Sequence, residues 1–346
     1  MGNYTVPFVG MILAEFVQVA LIILSKRVMA QGMNSLIFIF YSNSIAALVL
    51  LPSSFYIHRF QRPPITFSTL SGFFLLGLLG YLAQVFGYAG IYYSSSTLAT
   101  AMLNLIPGFT FILAVLFRME QLDWKSYSSL AKSLGTIVSI AGAFIATLYK
   151  GAALLKGPSS PANVSHQLAF SQDTSWIIGG SFLASDCVMA SAFLIVQASI
   201  IKKYPAGLIV VFFYCFFVAI LSAVTCLVLE RDVNAWSLEP KLRLLSVLYS
   251  GLFGSAFQVG VTTWCLHQTG PVFVSMFKPL GIVISVVVGV VFLGDAFYLG
   301  SLIGATVIVI GFYSVLWGKS KDIEARSLES RGNQAPLLTE NRSEDI

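Results

Sequence analysis

Apolar residues run along this chain in long blocks separated by short polar breaks, and the blocks have the length of membrane spans. A helix needs about 20 mostly apolar residues to cross a hydrocarbon core of roughly 30 Å. Ten stretches qualify: residues 7–27, 34–57, 68–90, 95–117, 129–149, 175–200, 206–229, 243–267, 271–293 and 296–318. The breaks are as polar as His58-Arg59-Phe60-Gln61-Arg62-Pro63-Pro64. Within the blocks Phe, Leu, Ile and Val follow one another without the alternation of a transmembrane β-barrel. Hydrocarbon offers no partner to a free N–H or C=O, so each block is expected to be a helix.

The pattern repeats itself. Gly77-Leu78-Leu79-Gly80-Tyr81-Leu82-Ala83-Gln84-Val85 in the third block matches Gly251-Leu252-Phe253-Gly254-Ser255-Ala256-Phe257-Gln258-Val259 in the eighth, 174 residues on. Gly135, Gly142 and Lys150 recur 169 residues later as Gly304, Gly311 and Lys319. Phe40-Tyr41 recurs as Phe213-Tyr214, and the fourth and ninth blocks each carry a proline (Pro107, Pro279) and end at an acid (Glu120, Asp295). Five spans per copy is an odd number, so the second copy enters from the opposite side. The expected fold is therefore an all-α integral membrane protein of ten transmembrane helices in two inverted five-helix repeats. Its divisions are a first repeat over 1–150, an inter-repeat loop over 151–174, a second repeat over 175–318 and a disordered cytosolic tail over 319–346. Such proteins place a substrate site near the midplane, at the interface between repeats, and work by alternating access.

Composition agrees with this reading and closes off others. The 346 residues are 57% hydrophobic and 10% charged, with a mean hydropathy of +0.83, whereas soluble domains carry roughly a quarter charged residues. The net charge of +5 sits at helix ends and in the tail, with no basic stripe interleaved with aromatics, so no nucleic acid is expected. Cys187, Cys215, Cys226 and Cys265 all fall inside spans and read as small buried hydrophobes. The first block is full length and lacks a basic stretch before it, so it is expected to stay as helix 1; Met1-Gly2 does not read as a myristoylation signal, because position 6 is Val. The three histidines (His58, His166, His267) form no H-E-x-x-H, and neither a C-x-x-C nor a phosphate-cradling glycine loop is present. No enzyme activity, catalytic residue, metal or cofactor is expected.

Orientation rests on weaker signals. With both termini cytosolic, the cytosolic side holds 12 Lys and Arg against 7 outside, five of the 12 in the tail, and the positive-inside rule then favours this arrangement. The glycosylation sequon Asn163-Val164-Ser165 would lie outside, making Asn163 the glycosylation candidate. The plasma membrane is expected rather than the vacuolar one.

Polar groups inside a membrane are expensive and ask for a reason. Glu15 lies in the first block, Asp186 in its counterpart, the sixth, and Lys278 in the ninth, directly before Pro279; Lys278 is expected to be the only Lys or Arg well inside a span. Together they describe a cavity that accepts a zwitterion, Lys278 meeting a carboxylate and Glu15 or Asp186 meeting an ammonium group or a proton. Pairing among the three to fix helix packing is the competing reading. The repeated Gln84 and Gln258 each offer a donor and an acceptor to a ligand, or hydrogen-bond between helices. Asn104 precedes Pro107, whose missing N–H frees a carbonyl one turn back. Gly77, Gly80, Gly251 and Gly254 read as close-packing positions.

The exit of the first helix (Ser25-Lys26-Arg27 through Gln31-Gly32-Met33), Tyr92-Tyr93-Ser94-Ser95-Ser96-Thr97-Leu98-Ala99, Asn104-Leu105-Ile106-Pro107-Gly108-Phe109-Thr110-Phe111, Phe117-Arg118-Met119-Glu120, Pro279-Leu280 and Phe292-Leu293-Gly294-Asp295 resemble the plant drug/metabolite transporter superfamily. Within it they resemble the EamA-type UMAMIT, or Walls-Are-Thin-related, group. The resemblance covers residues 7–319, with Ser96 where that family has Pro and Asp295 where Glu is common. It implies ten helices and transport of amino acids or auxin-like metabolites by bidirectional or exporting facilitators. The expected partners are the lipid bilayer, a small amino acid or organic acid as substrate, and a second copy of the chain in a homodimer. A nucleotide-sugar or sugar-phosphate antiporter and a non-transporting membrane scaffold are the alternative readings. Phosphates would call for several buried Lys or Arg.

Overall fold

The computed structural model describes residues 5–57, 64–93, 102–120, 126–149, 151–155, 174–230, 232–288 and 297–332. Among these the spans follow in order as α1 (Thr5–Ala30), α2 (Ser35–Ile57), α3 (Phe67–Tyr93), α4 (Ile106–Leu116), α5 (Tyr127–Leu148), α6 (Thr174–Lys203), α7 (Gly207–Leu229), α8 (Lys241–Thr269), α9 (Pro271–Val288) and α10 (Leu299–Gly332). Among the described residues, nine are long and apolar enough to cross a membrane; α4 is the shorter tenth, and residues 94–101, expected to open its span, lie outside the described residues. Leu227, Leu116 and Tyr313 are 74%, 71% and 68% exposed. Such outward apolar faces are what a lipid solvent requires.

Several helices depart from uniformity. The central part of α8, Ser250–Gln258, is a π-helix. α9 is interrupted at Met276; the Pro279 ring has no N–H to donate to the Ser275 carbonyl four residues back, so the ladder is open there in any case. α4 starts after a turn at Asn104-Leu105, with Pro107 in its first turn, where a missing donor is tolerated. α10 continues past Lys319 to Gly332, into the segment expected to be a disordered tail. Extending an existing helix avoids the nucleation step, and Ala325, Arg326, Leu328 and Glu329 all favour helix over coil. Between the repeats, β1 (Ala153–Leu155) pairs antiparallel with β2 (Phe297–Tyr298), a pairing that the sequence pattern does not announce.

Contacts at the two ends of the bundle fix the direction of each helix. At one end, Asn34 Nδ2 before α2 donates to Glu230 Oε2 after α7 at 2.7 Å. Arg243 Nη2, at the start of α8, donates to the Gln31 carbonyl after α1 at 2.6 Å, and β1 and β2 join the end of α5 to the start of α10. At the other end, Glu120 after α4 pairs with Lys132 near the start of α5 and with Lys319 toward the end of α10. The helices therefore alternate up and down, and α6 runs opposite to α1. The repeats are inverted.

The repeated glycines hold the bundle together. In membranes small residues let helix backbones approach closely. A Cβ on Gly135 would lie 2.7 Å from the Gly311 carbonyl oxygen, one on Gly142 2.7 Å from Ile308 N, and one on Gly311 2.5 Å from Ser139 N. α5 and α10 thus lie backbone to backbone. The other repeated glycines also meet partners in the opposite half. Gly77 and Gly80 of α3 accommodate Phe217 and Tyr214 of α7, whereas Gly251 and Gly254 of α8 accommodate Ile45 of α2 and Leu21 of α1. Each half lends its third helix to the other, which puts the inter-repeat interface at the centre of the molecule.

Candidate functional site: a polar cavity between the repeats

A cavity of about 270 Å³ opens at this interface. The first half contributes Gln18 of α1, Ser42 of α2, and Gln84 and Tyr88 of α3; the second contributes Tyr214 of α7, Ser250, Ser255, Gln258 and Thr262 of α8, and Lys278 of α9. Apolar wall comes from Phe38, Ile106, Phe193 and Leu194 among others. Three of the residues singled out in the sequence, Gln84, Gln258 and Lys278, line this one space.

Lys278 is not a lone cation. Its Nζ lies 3.1 Å from Glu15 Oε1, with the two side chains 31% and 3% exposed. Burying a carboxylate without a partner costs several kcal/mol, so the pair compensates Glu15 while the ammonium keeps a face toward the cavity. The packing allows it because Gly281, one turn along α9, carries no side chain: a Cβ there would sit 2.9 Å from Glu15 Oε2. Glu15 itself lies behind the wall, one turn from Gln18. Asp186 is also buried and off the wall, four residues before Ala190, which lines it; its Oδ2 would lie 3.0 Å from a Cβ on Gly87.

Gln84 Nε2 donates to the Tyr214 hydroxyl at 3.1 Å, a bond between the two halves. Among the described residues no hydrogen bond reaches the side-chain amide of Gln258. Asn104 is buried at 2% exposure but is not on the wall, where Ile106 stands instead. The carbonyls around this break are taken up by α6: Cys187 Sγ donates to the Met102 carbonyl at 3.0 Å and Ser191 Oγ to the Ile106 carbonyl at 3.2 Å. Asn163 lies outside the described residues.

A second buried cation stands near one end of the bundle, outside the set singled out in the sequence. Lys132 of α5 is 1% exposed. Its Nζ donates to Glu120 Oε2 at 3.1 Å, and Lys319 holds Glu120 Oε1. Burial alone would raise the Glu120 carboxyl, but Lys319 and Lys132 outweigh it and hold the group below the ordinary carboxylate range. A smaller space of about 220 Å³ adjoins this cluster, between the ends of α6, α8 and α10. The sequence offered one signal: Lys132 is the sole charged residue of α5. Tyr214 had a signal too, as half of the repeated Phe-Tyr pair, but Gln18 and the π-helical stretch had none.

Comparison with known proteins places this geometry. The family model described as the EamA-like transporter family matches residues 7–148 and 177–317. A WAT1-related protein of Arabidopsis thaliana is 46% identical over 94% of this chain and 89% of its own. A second WAT1-related protein from the same plant is 42% identical over 98% and 94%. One crystal structure superposes with a TM-score of 0.66 over 94% of this chain and 99% of that one, at 15% identity, a likeness of fold alone. Two matched repeats, ten helices of alternating direction among the described residues and a polar cavity between the halves lead to one conclusion: the chain belongs to the EamA-like transporter family, in its WAT1-related plant group, and is a multi-pass membrane transporter of small metabolites.

Proposed function

We propose that this transporter carries amino acids or closely related small organic acids by alternating access, in either direction or outward. The observation that carries the reading is the cavity wall: one ammonium group, Lys278, set among neutral amides and hydroxyls. A substrate carboxylate accepts from Lys278 Nζ, the Gln258 amide bonds either substrate end, and the phenylalanines and leucine of the wall cover the side chain. Drug-sized ligands occupy cavities of roughly 300–1,000 Å³, so a space of about 270 Å³ favours a smaller molecule. It disfavours a nucleotide sugar, as does a wall with a single cation among its described residues. The interface position supports alternating access, since rocking one inverted repeat against the other moves the walls apart on one side and together on the other.

Both termini are assigned to the cytosol, on the even number of spans and the basic end of α10. Uptake and efflux of a labelled amino-acid panel by vesicles containing the purified protein test the reading. Flux of at least one amino acid above empty vesicles is expected; a panel that moves no faster than through bare lipid overturns it.

A further inference from the structure

Asp186 is a buried carboxyl group with no part in the cavity wall or in either ion-pair cluster. It lies near the middle of α6 with 7% of its surface exposed. Among the described residues no hydrogen bond and no cation reaches its carboxyl. The titratable groups facing it are the Tyr88 phenol of α3 and the thiol of Cys187 on its own helix. α4, α8 and α9, which also pack on α6, present it no charged side chain among the described residues. On α3 the position it touches is Gly87, next to the cavity-lining Tyr88.

Its counterpart in the first half makes the contrast. Glu15 is as deeply buried but has Lys278 beside it. Where Lys278 stands on α9, the corresponding stretch of α4 around Asn104 and Ile106 is neutral. An ionised carboxylate with no partner in such a site is strongly penalised. Hard metal cations need several oxygen ligands, and among the described residues the polar neighbours here are a phenol and a thiol already bonded to the Met102 carbonyl. A proton needs one.

We infer that Asp186 is a proton-binding site that couples substrate movement to proton movement, an inference that rests on the transport reading above. As the neutral acid, Asp186 packs against Gly87 and keeps α3 on α6. Loss of the proton to water leaves a carboxylate that must be hydrated, which loosens the α3–α6 contact one layer behind the cavity wall. The proton and the rearrangement of the wall are thereby linked. Nothing is oxidised or reduced; the proton passes between the carboxyl oxygen and water.

The test uses the full-length protein reconstituted in vesicles, wild type and Asp186→Asn, with two readouts. Infrared difference spectra between neutral and alkaline buffer report the carbonyl band of a protonated carboxyl; it is expected in the wild type and absent from Asp186→Asn. Amino-acid uptake by the wild type is expected to rise severalfold when the outside is made acidic, whereas Asp186→Asn exchanges amino acid at a rate indifferent to the gradient. Should that variant not fold, Asp186→Ser, which fills less space against Gly87, takes its place. A carboxyl band that survives the substitution, or a variant with the wild-type gradient response, overturns the inference. If the wild type moves no amino acid, the transport reading fails, and the infrared comparison alone decides whether Asp186 holds a proton.

Discussion

The same nine-residue motif occurs once in α3 and once in α8, and the two copies fold differently. Residues 77–85 continue a regular α-helix, whereas Ser250–Gln258, carrying the second copy, is π-helical. The glycines do the same work in both, seating a helix of the opposite half. The glutamines do not. Gln84 is held by Tyr214, while Tyr41, the counterpart of Tyr214, donates to the Trp236 carbonyl at 3.1 Å and leaves the Gln258 amide to the cavity. π-Helical turns recur at functional sites because the wider turn re-aims side chains; here it brings Ser250, Gly254, Ser255 and Gln258 to one wall. Symmetry builds the frame, and the departure from symmetry builds the site.

The frame is the easier part to break. Glu120→Gln leaves Lys132 buried without its carboxylate, and losing one partner of a buried pair costs about 3–5 kcal/mol. Thermal unfolding in detergent should register this as a larger loss than any single change within the repeated motif. The pH dependence has a definite sign. Because Lys319 and Lys132 hold the folded Glu120 carboxyl below its ordinary range, its contribution is present at neutral pH and is lost as pH falls through that lowered value. Glu120→Gln should flatten the acid side of the stability profile.

Within the motif, Gly77→Ala should destabilise by about 1–3 kcal/mol, typical of overpacking. Its new Cβ would meet Phe217 Cβ at 2.5 Å, close to the backbone where nothing can swing away. Gly254→Ala should be milder, because the obstacle at 2.8 Å is the far end of the Leu21 side chain. Equal losses would show that the two copies pack alike. The smallest effects belong to the glutamines. Gln258→Leu should raise the half-saturating amino-acid concentration about tenfold, the low end of the worth of one hydrogen bond to a charged group. Gln84→Leu should act more on unfolding temperature, since it strands the Tyr214 hydroxyl. Paired kinetic and thermal measurements on both variants separate the two roles.

Much of this arrangement was legible in the sequence, for physical reasons that also mark its limits. Span lengths follow from bilayer thickness, so helices were readable. Gly135, Gly142, Gly304 and Gly311 repeat because backbones touch there, so the α5–α10 pairing left a visible trace. A π-helical turn leaves none: residues 251–259 and 77–85 share their key letters yet differ in backbone. Pairing across the bundle was equally hidden. Lys278 had two buried acids to choose from, and only the approach of α1 to Gly281 decides for Glu15. The Glu120–Lys132–Lys319 cluster joins residues 12 and 199 positions apart, a distance that no local pattern spans.

The central claim is that Lys278 serves the substrate and not only Glu15. Lys278→Met alone removes both roles at once and strands a buried carboxylate. The double variant Lys278→Met/Glu15→Gln keeps the site neutral, so it should recover the wild-type yield of folded protein. Initial rates of labelled amino-acid uptake into vesicles, measured against concentration for this double variant, isolate the substrate's share. If the ammonium meets the substrate carboxylate, the half-saturating concentration rises about ten- to a hundredfold, as expected for losing a charge-assisted bond of roughly 1.5–3 kcal/mol. A folded double variant with wild-type affinity and rate would contradict the account and leave Lys278 as the counter-ion of Glu15 alone.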